Sequence, residues 1–171
     1  MPAPKMRIIA FDISASPGIA VIEVARNRPK LIAATSVKTD AKSPDSQRYA
    51  YVEAFATTVI HEYGPFDAIV REHFTKGGSK RSTQMVFGSW AAIDMALGKY
   101  GYNEIAYEPT PTTVKKVIGG HGKAEKDEVE AGVRRIMKLP DDYEFVSNDA
   151  SDAAAIGLTY LIENKIIEGA D

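Results

Sequence analysis

Cysteine is absent from the 171-residue sequence, which excludes disulfides, thiolate zinc sites and a cysteine nucleophile. Histidine is scarce, with His61, His73 and His121 the three imidazoles. A metal bound here would therefore be held by oxygen, which favours Mg²⁺ or Mn²⁺ over zinc. No apolar run approaches the roughly 20 residues of a membrane span, and the N-terminus lacks the apolar core of a signal peptide. A cytoplasmic protein without membrane attachment is expected. Internal repeats and low-complexity linkers are also missing, so residues 1–171 are expected to form a single domain long enough to hold its own core.

An overall excess of positive charge is lacking as well, since the net charge is −2. That average hides an asymmetry. From Arg71 to Lys126 there are nine Lys/Arg against five Asp/Glu, whereas from Leu139 to Asp171 there are eight acids and one base, Lys165. Basic stretches beside an acidic one suit a metal-dependent enzyme acting on a phosphodiester better than a plain nucleic-acid binder.

What the sequence does have is a pair of aspartates at the head of an apolar segment. Ser147-Asn148-Asp149-Ala150-Ser151-Asp152 leads into Ala153, Ala154, Ala155, Ile156, Leu158 and Leu161, the pattern of a helix buried in the core. Residues three apart share a helix face, so Asp149 and Asp152 aim at one spot. Two readings are open: acids favoured by the positive end of the helix dipole, or metal ligands. The choice depends on whether further carboxylates converge there.

The remaining chain supplies two. Met6–Asp12 reads as a buried strand ending on an acid, and Phe66–Glu72 as another. Between them, Ile19–Val24 and Leu31–Ser36 read as hairpin strands separated by Arg26-Asn27-Arg28-Pro29. Tyr49, Val52, Phe55, Ala56, Val59 and Ile60 mark a helix over Ser43–Tyr63, with Ser43 as N-cap, Pro44 at the first helical position and Gly64 ending it. Thr75–Arg81 is expected to be a flexible basic loop. Ser82–Lys99 is a helix apolar on more than one face, which calls for a large core or a partner chain. Glu104–Glu108 is expected as a fifth strand and Thr110–Ile118 as a short helix. The glycine loop Gly119–Lys123 is expected to open a helix over Ala124–Lys138, either as a phosphate cradle or as a plain turn.

This order gives an α/β domain with a mixed five-stranded sheet and helices on both faces, for which the ribonuclease H-like arrangement is one common solution and the fold expected here. The strands ending in Asp12 and Glu72 would then be neighbours, and Asp12, Glu72, Asp149 and Asp152 would form one cluster. Carboxylates packed together repel unless a divalent cation sits among them. Two Mg²⁺ ions about 3.5–4 Å apart would suit phosphodiester hydrolysis, with Mn²⁺ a possible substitute.

From Thr113 to Thr159 the chain resembles RuvC-type Holliday-junction resolvases, through Val114-Lys115-Lys116, Gly119-Gly120-His121-Gly122-Lys123-Ala124-Glu125-Lys126, Val129, Leu139-Pro140 and Asp149-Ala150-Ser151-Asp152-Ala153. The likeness continues more weakly through Ile9-Ala10-Phe11-Asp12 and Glu72-His73-Phe74. It implies a homodimeric endonuclease that binds four-way DNA junctions and nicks opposing strands. Asp12, Glu72, Asp149 and Asp152 match the family's catalytic acids, Phe74 its aromatic near the crossover, and Lys115 and Lys126 its basic residues near the site. The Pro-Gly pair that normally follows the first acid stands later here, as Pro17-Gly18. Lys76, Lys80, Arg81, Lys116 and Lys123 are further candidates for DNA contact, each with a solvated surface as its ordinary alternative. For the shared surface of a homodimer, the Ser82–Lys99 helix offers Gly88, Ala92 and Ala96, spaced four apart for close approach. Another nuclease of the same fold, acting on RNA or an RNA·DNA hybrid, and a non-catalytic junction binder remain as alternatives.

Overall fold

The computed structural model describes residues 3–169. Three strands come first, β1 (Lys5–Asp12), β2 (Gly18–Ala25) and β3 (Arg28–Ser36), followed by helix α1 (Asp45–Tyr63) and strand β4 (Ala68–Arg71). Four helices complete the chain: α2 (Lys80–Gly98), α3 (Pro111–Gly119), α4 (Lys126–Met137) and α5 (Asn148–Glu163). The strands form one mixed sheet in the order β3-β2-β1-β4. β1 to β3 run antiparallel through consecutive neighbours, and β4 lies parallel to β1. Arg26 and Asn27, both at positive φ, make the tight turn of the β2–β3 hairpin, as a two-residue connection of right-twisted strands requires. Met1–Lys5, with its two prolines, reads in the sequence as a loose lead-in; Met1 and Pro2 lie outside the described residues, and Lys5 already belongs to β1.

β1 is a nearly continuous apolar run because both of its faces are covered. Ile8 and Ala10 enter the core beneath α3, α4 and α5. Ile9 and Phe11 enter a second core on the opposite face, shared with α1 and α2. α5 is buried almost all round, with Ala153, Ala154, Ala155, Ile156 and Leu158 fully enclosed. Its small residues let it lie close to the sheet, and at Gly157 a β-carbon would press on Ile22 and Ala10.

The expected fifth strand at Glu104–Glu108 is reduced to a single bridge, Tyr107 beside Val70. This segment does follow the open edge of β4, with Ala106 N–H donating to Ile69 O (2.8 Å) and Arg71 N–H to Tyr107 O (3.2 Å). A ladder does not develop because β4 has only four residues and Pro109 removes the next backbone donor.

Several helix starts differ from expectation, each through its cap. Pro44, not Ser43, occupies the N-cap of α1, with no side chain capping it. α2 begins earlier because Ser79 is its N-cap: Ser79 Oγ accepts from Ser82 N–H and Ser82 Oγ accepts from Ser79 N–H, both at 3.0 Å. Lys80 and Arg81 therefore sit in the first turn of α2 and not in a flexible loop. α4 begins at Lys126, where Glu128 Oε2 accepts the Glu125 N–H at 2.7 Å. The glycine loop ends α3, with Gly120 at a φ of 93°, instead of opening α4 as a phosphate cradle.

The small-residue stripe of α2 turns inward. Ala92 and Ala96 are buried, and a β-carbon at Gly88 would overlap the Tyr49 ring of α1. Gly88, Ala92 and Ala96 thus bring α1 and α2 together within one chain, and do not form a surface for a second copy. The face left open lies one residue earlier in each turn, with Phe87 42% and Met95 59% exposed and Ala91 between them.

Candidate metal-dependent active site

Register places the first two acids side by side. Phe11 of β1 pairs with Arg71 of β4, so the next residues, Asp12 and Glu72, leave the sheet together at one end. Glu72 is held there by its own N–H, which donates to Phe11 O at 3.2 Å. Parallel strands force this proximity, because equivalent ends coincide.

The other two acids come from the start of α5. Ser147 caps the helix, its Oγ accepting from Ala150 N–H (3.2 Å) and donating to Ser36 Oγ at the end of β3 (2.8 Å). This tie fixes the helix start to the sheet. Gly18, at the start of β2, lies so close beneath that a β-carbon would overlap the carbonyl of Asp149. As a result, Asp12, Asp149 and Asp152 each place a carboxylate oxygen within 4.8 Å of the other two. Glu72 lines the same cavity, of about 490 Å³, at the edge of this trio.

The charges are unfavourable as they stand. Burial, followed by the charges of Glu72, Asp152 and Asp149, pushes the Asp12 carboxyl well above the usual carboxylate range. Burial and the Asp152 charge raise Glu72 to about 7. Burial also raises Asp149 and Asp152. Lys126 opposes these shifts in all four acids, and its Nζ stands 3.5 Å from Asp152 Oδ2. An all-oxygen donor set of converging, partly buried carboxylates fits a hard divalent cation, and Asp12, Asp149 and Asp152, with Glu72 beside them, could hold one.

A pH dependence follows. Glu72 titrates near 7 in the folded chain against 4.5 as its ordinary value, so the folded state holds a proton that the unfolded state releases. Its contribution to stability is complete below about 4.5 and disappears as pH rises through about 7. In chelator, melting temperature should therefore decline between pH 5 and pH 8, and an added divalent cation should reverse the decline. Calorimetry checks this: Glu72→Gln should flatten the slope, and an unchanged slope would mean that the cluster is not under charge strain.

Of the basic candidates, Lys115 and Lys126 line the cavity, whereas Lys76, Lys80, Arg81, Lys116 and Lys123 do not. Arg81 is ion-paired with Asp45. Phe74 packs edge-on against Phe87, which packs edge-on against Trp90, each pair 5.5 Å between centroids. His73 and His121 pair with Glu108 and Glu128, outside the acid cluster. Lys38 was not singled out from the sequence, yet it lies near enough to Asp149 for its charge to lower that carboxyl's pKa. Its only sequence signal is its place just after a strand.

The family described as crossover junction endodeoxyribonuclease RuvC matches residues 12–160. The chain is 30% identical over 158 residues to the crossover junction endodeoxyribonuclease RuvC of Rickettsia massiliae, covering 92% of this chain and 98% of that protein. It is 28% identical to that of Bartonella tribocorum, covering 97% and 94%. Among solved structures, Thermus thermophilus RuvC in complex with Holliday junction substrate superposes with a TM-score of 0.81 at 25% identity, over 94% of this chain and 96% of that one.

Proposed function

Because this chain belongs to the RuvC family of crossover junction endodeoxyribonucleases, we propose that it is a divalent-metal-dependent nuclease that nicks opposing strands of four-way DNA junctions, with Asp12, Glu72, Asp149 and Asp152 as its catalytic acids. The observation that carries the site is the trio of carboxylates within 4.8 Å, built from β1 and α5. When bound there, Mg²⁺ or Mn²⁺ supplies positive charge to polarise the scissile phosphate and to lower the pKa of the attacking water. Two such ions would bring in Glu72, which lines the same cavity as the trio, as a further ligand.

The chain's own residues have separable tasks. The four acids create a negative potential that would repel DNA, and Lys115 and Lys126 at the cavity wall offset it for the approaching backbone. Cation binding competes with protons held by the raised carboxyls, so apparent metal affinity should increase as pH rises through about 7. An enzyme of this kind should cut a four-way junction into paired nicks only when the metal is present, and should leave linear duplex and RNA·DNA hybrid intact. Preference for the hybrid would overturn the reading in favour of an RNA-directed nuclease of the same fold. Binding without cleavage under all metal conditions would favour a non-catalytic junction binder.

Paired nicks require two sites related by a two-fold axis, and one domain supplies one site, so we place a homodimer on the outward face of α2. Phe87 and Met95 are exposed there, and the buried Trp90 indole N–H beside them has no hydrogen-bond partner among the described residues. Met95→Arg should yield a folded monomer that no longer makes paired nicks. Ala96→Arg should instead unfold the chain, because it buries an unpaired charge at a cost of several kcal/mol. Light scattering and circular dichroism distinguish the two, and a Met95→Arg protein that stays dimeric would move the interface elsewhere.

A further inference from the structure

Arg48 is a buried arginine in want of an anion. On α1 it is only 9% exposed; its Nε donates to Thr39 Oγ1 at 2.9 Å and one Nη to the Met85 sulfur at 3.7 Å. Among the described residues no carboxylate pairs with it. Asp45 is near enough to feel the Arg48 charge, but both of its carboxylate oxygens are hydrogen-bonded to the terminal guanidinium nitrogens of Arg81. A guanidinium removed from water ordinarily has a carboxylate or phosphate partner, and here the local acid is occupied by another cation.

Arg48 borders a second cavity, of about 290 Å³, which Lys38, Thr39 and Gln47 also line. Asp40, the acid in that lining, has its Oδ1 engaged by the Lys42 N–H at 2.9 Å. Lys38 follows Ser36 by two residues, and Ser36 Oγ accepts from Ser147 Oγ at the start of α5 (2.8 Å), which puts one wall of this cavity on the side of the sheet where Asp149 stands. Two cations, a hydroxyl and an amide around a small opening are the donors that recognise a phosphate.

We propose that the Lys38–Arg48 cavity is a second phosphate subsite, which binds one backbone phosphate of the junction outside the catalytic cavity and fixes the course of the DNA across the acids. This rests on the junction-cleaving reading above. Ca²⁺ in place of Mg²⁺ allows binding to be followed separately from cleavage. Each phosphate contact removed should reduce the slope of log affinity against log salt by about one unit. Lys38→Ala changes an exposed side chain, and Arg48→Met retains packing beside Met85. Both should melt like the native chain and each lose about one unit of slope. Should Arg48→Met fail to fold, Lys38→Ala carries the test alone.

A single neutral methylphosphonate, moved stepwise along the junction strands, provides the decisive reading. The native chain should be sensitive at a position separate from the scissile phosphate, and Lys38→Ala should lose sensitivity at that position alone. If the native chain binds junctions but both variants keep its salt slope and its methylphosphonate pattern, the subsite is overturned and the junction reading stands. If the native chain binds no junction, both fall together.

Discussion

Asp149→Asn should abolish metal-dependent nicking, with a rate loss of about a thousandfold or more, equivalent to about 4 kcal/mol of transition-state stabilisation. The substitution keeps the shape of the side chain while removing one of the three charges in the Asp12, Asp149 and Asp152 trio. Junction binding in Ca²⁺ or EDTA should stay close to native. Because neutralising one acid relieves repulsion in an overcrowded cluster, the metal-free variant should also melt at or above the native temperature at pH 8. Gel assays of cleavage and binding, run together with calorimetry, separate these effects. A variant that nicks at near-native rate would remove Asp149 from the site, and joint loss of binding, cleavage and melting temperature would indicate damage to the fold.

Gly18→Ala is expected to impair the enzyme through position alone. The added β-carbon would overlap the Asp149 carbonyl, so the start of α5 must shift away from β2. Overpacking of this kind destabilises by about 1–3 kcal/mol, and a displacement of about 1 Å can reduce the rate about a hundredfold. The expected result is a folded protein that binds junctions but nicks slowly. Gly78→Ala is the control, since nothing lies within 4 Å of its position, and it should behave as native. Near-native nicking by Gly18→Ala would mean that α5 can move without displacing its acids.

The acids were legible in the sequence because each violates a local pattern. Asp12 ends a strand otherwise buried on both faces, and Asp149 and Asp152 open a helix whose following residues are enclosed. The parallel pairing of β1 with β4, one common solution for this element order, brings Glu72 beside Asp12. What could not be read depends on partners distant in the chain. Arg81 looked available for DNA, but Asp45, 36 residues away, holds it; with that pairing made, no carboxylate among the described residues hydrogen-bonds Arg48. In α2, apolar residues occupy several faces, so periodicity alone could not separate the stripe that packs on α1 from the one beginning at Phe87. The loss of the fifth strand depends on the shortness of β4, which no pattern within Glu104–Glu108 encodes.

The central place of β1 has a bearing on how the protein fails. Its backbone is paired with β2 on one side and β4 on the other, through Ile8 to Phe11, and its side chains enter both cores. No local fluctuation can expose those amides, so their exchange with solvent deuterium should require global unfolding. Asp12 is the next residue along the same strand. Heat or denaturant should therefore remove catalytic competence in the same transition that removes the fold, with no range of conditions in which an intact domain carries a misplaced first acid.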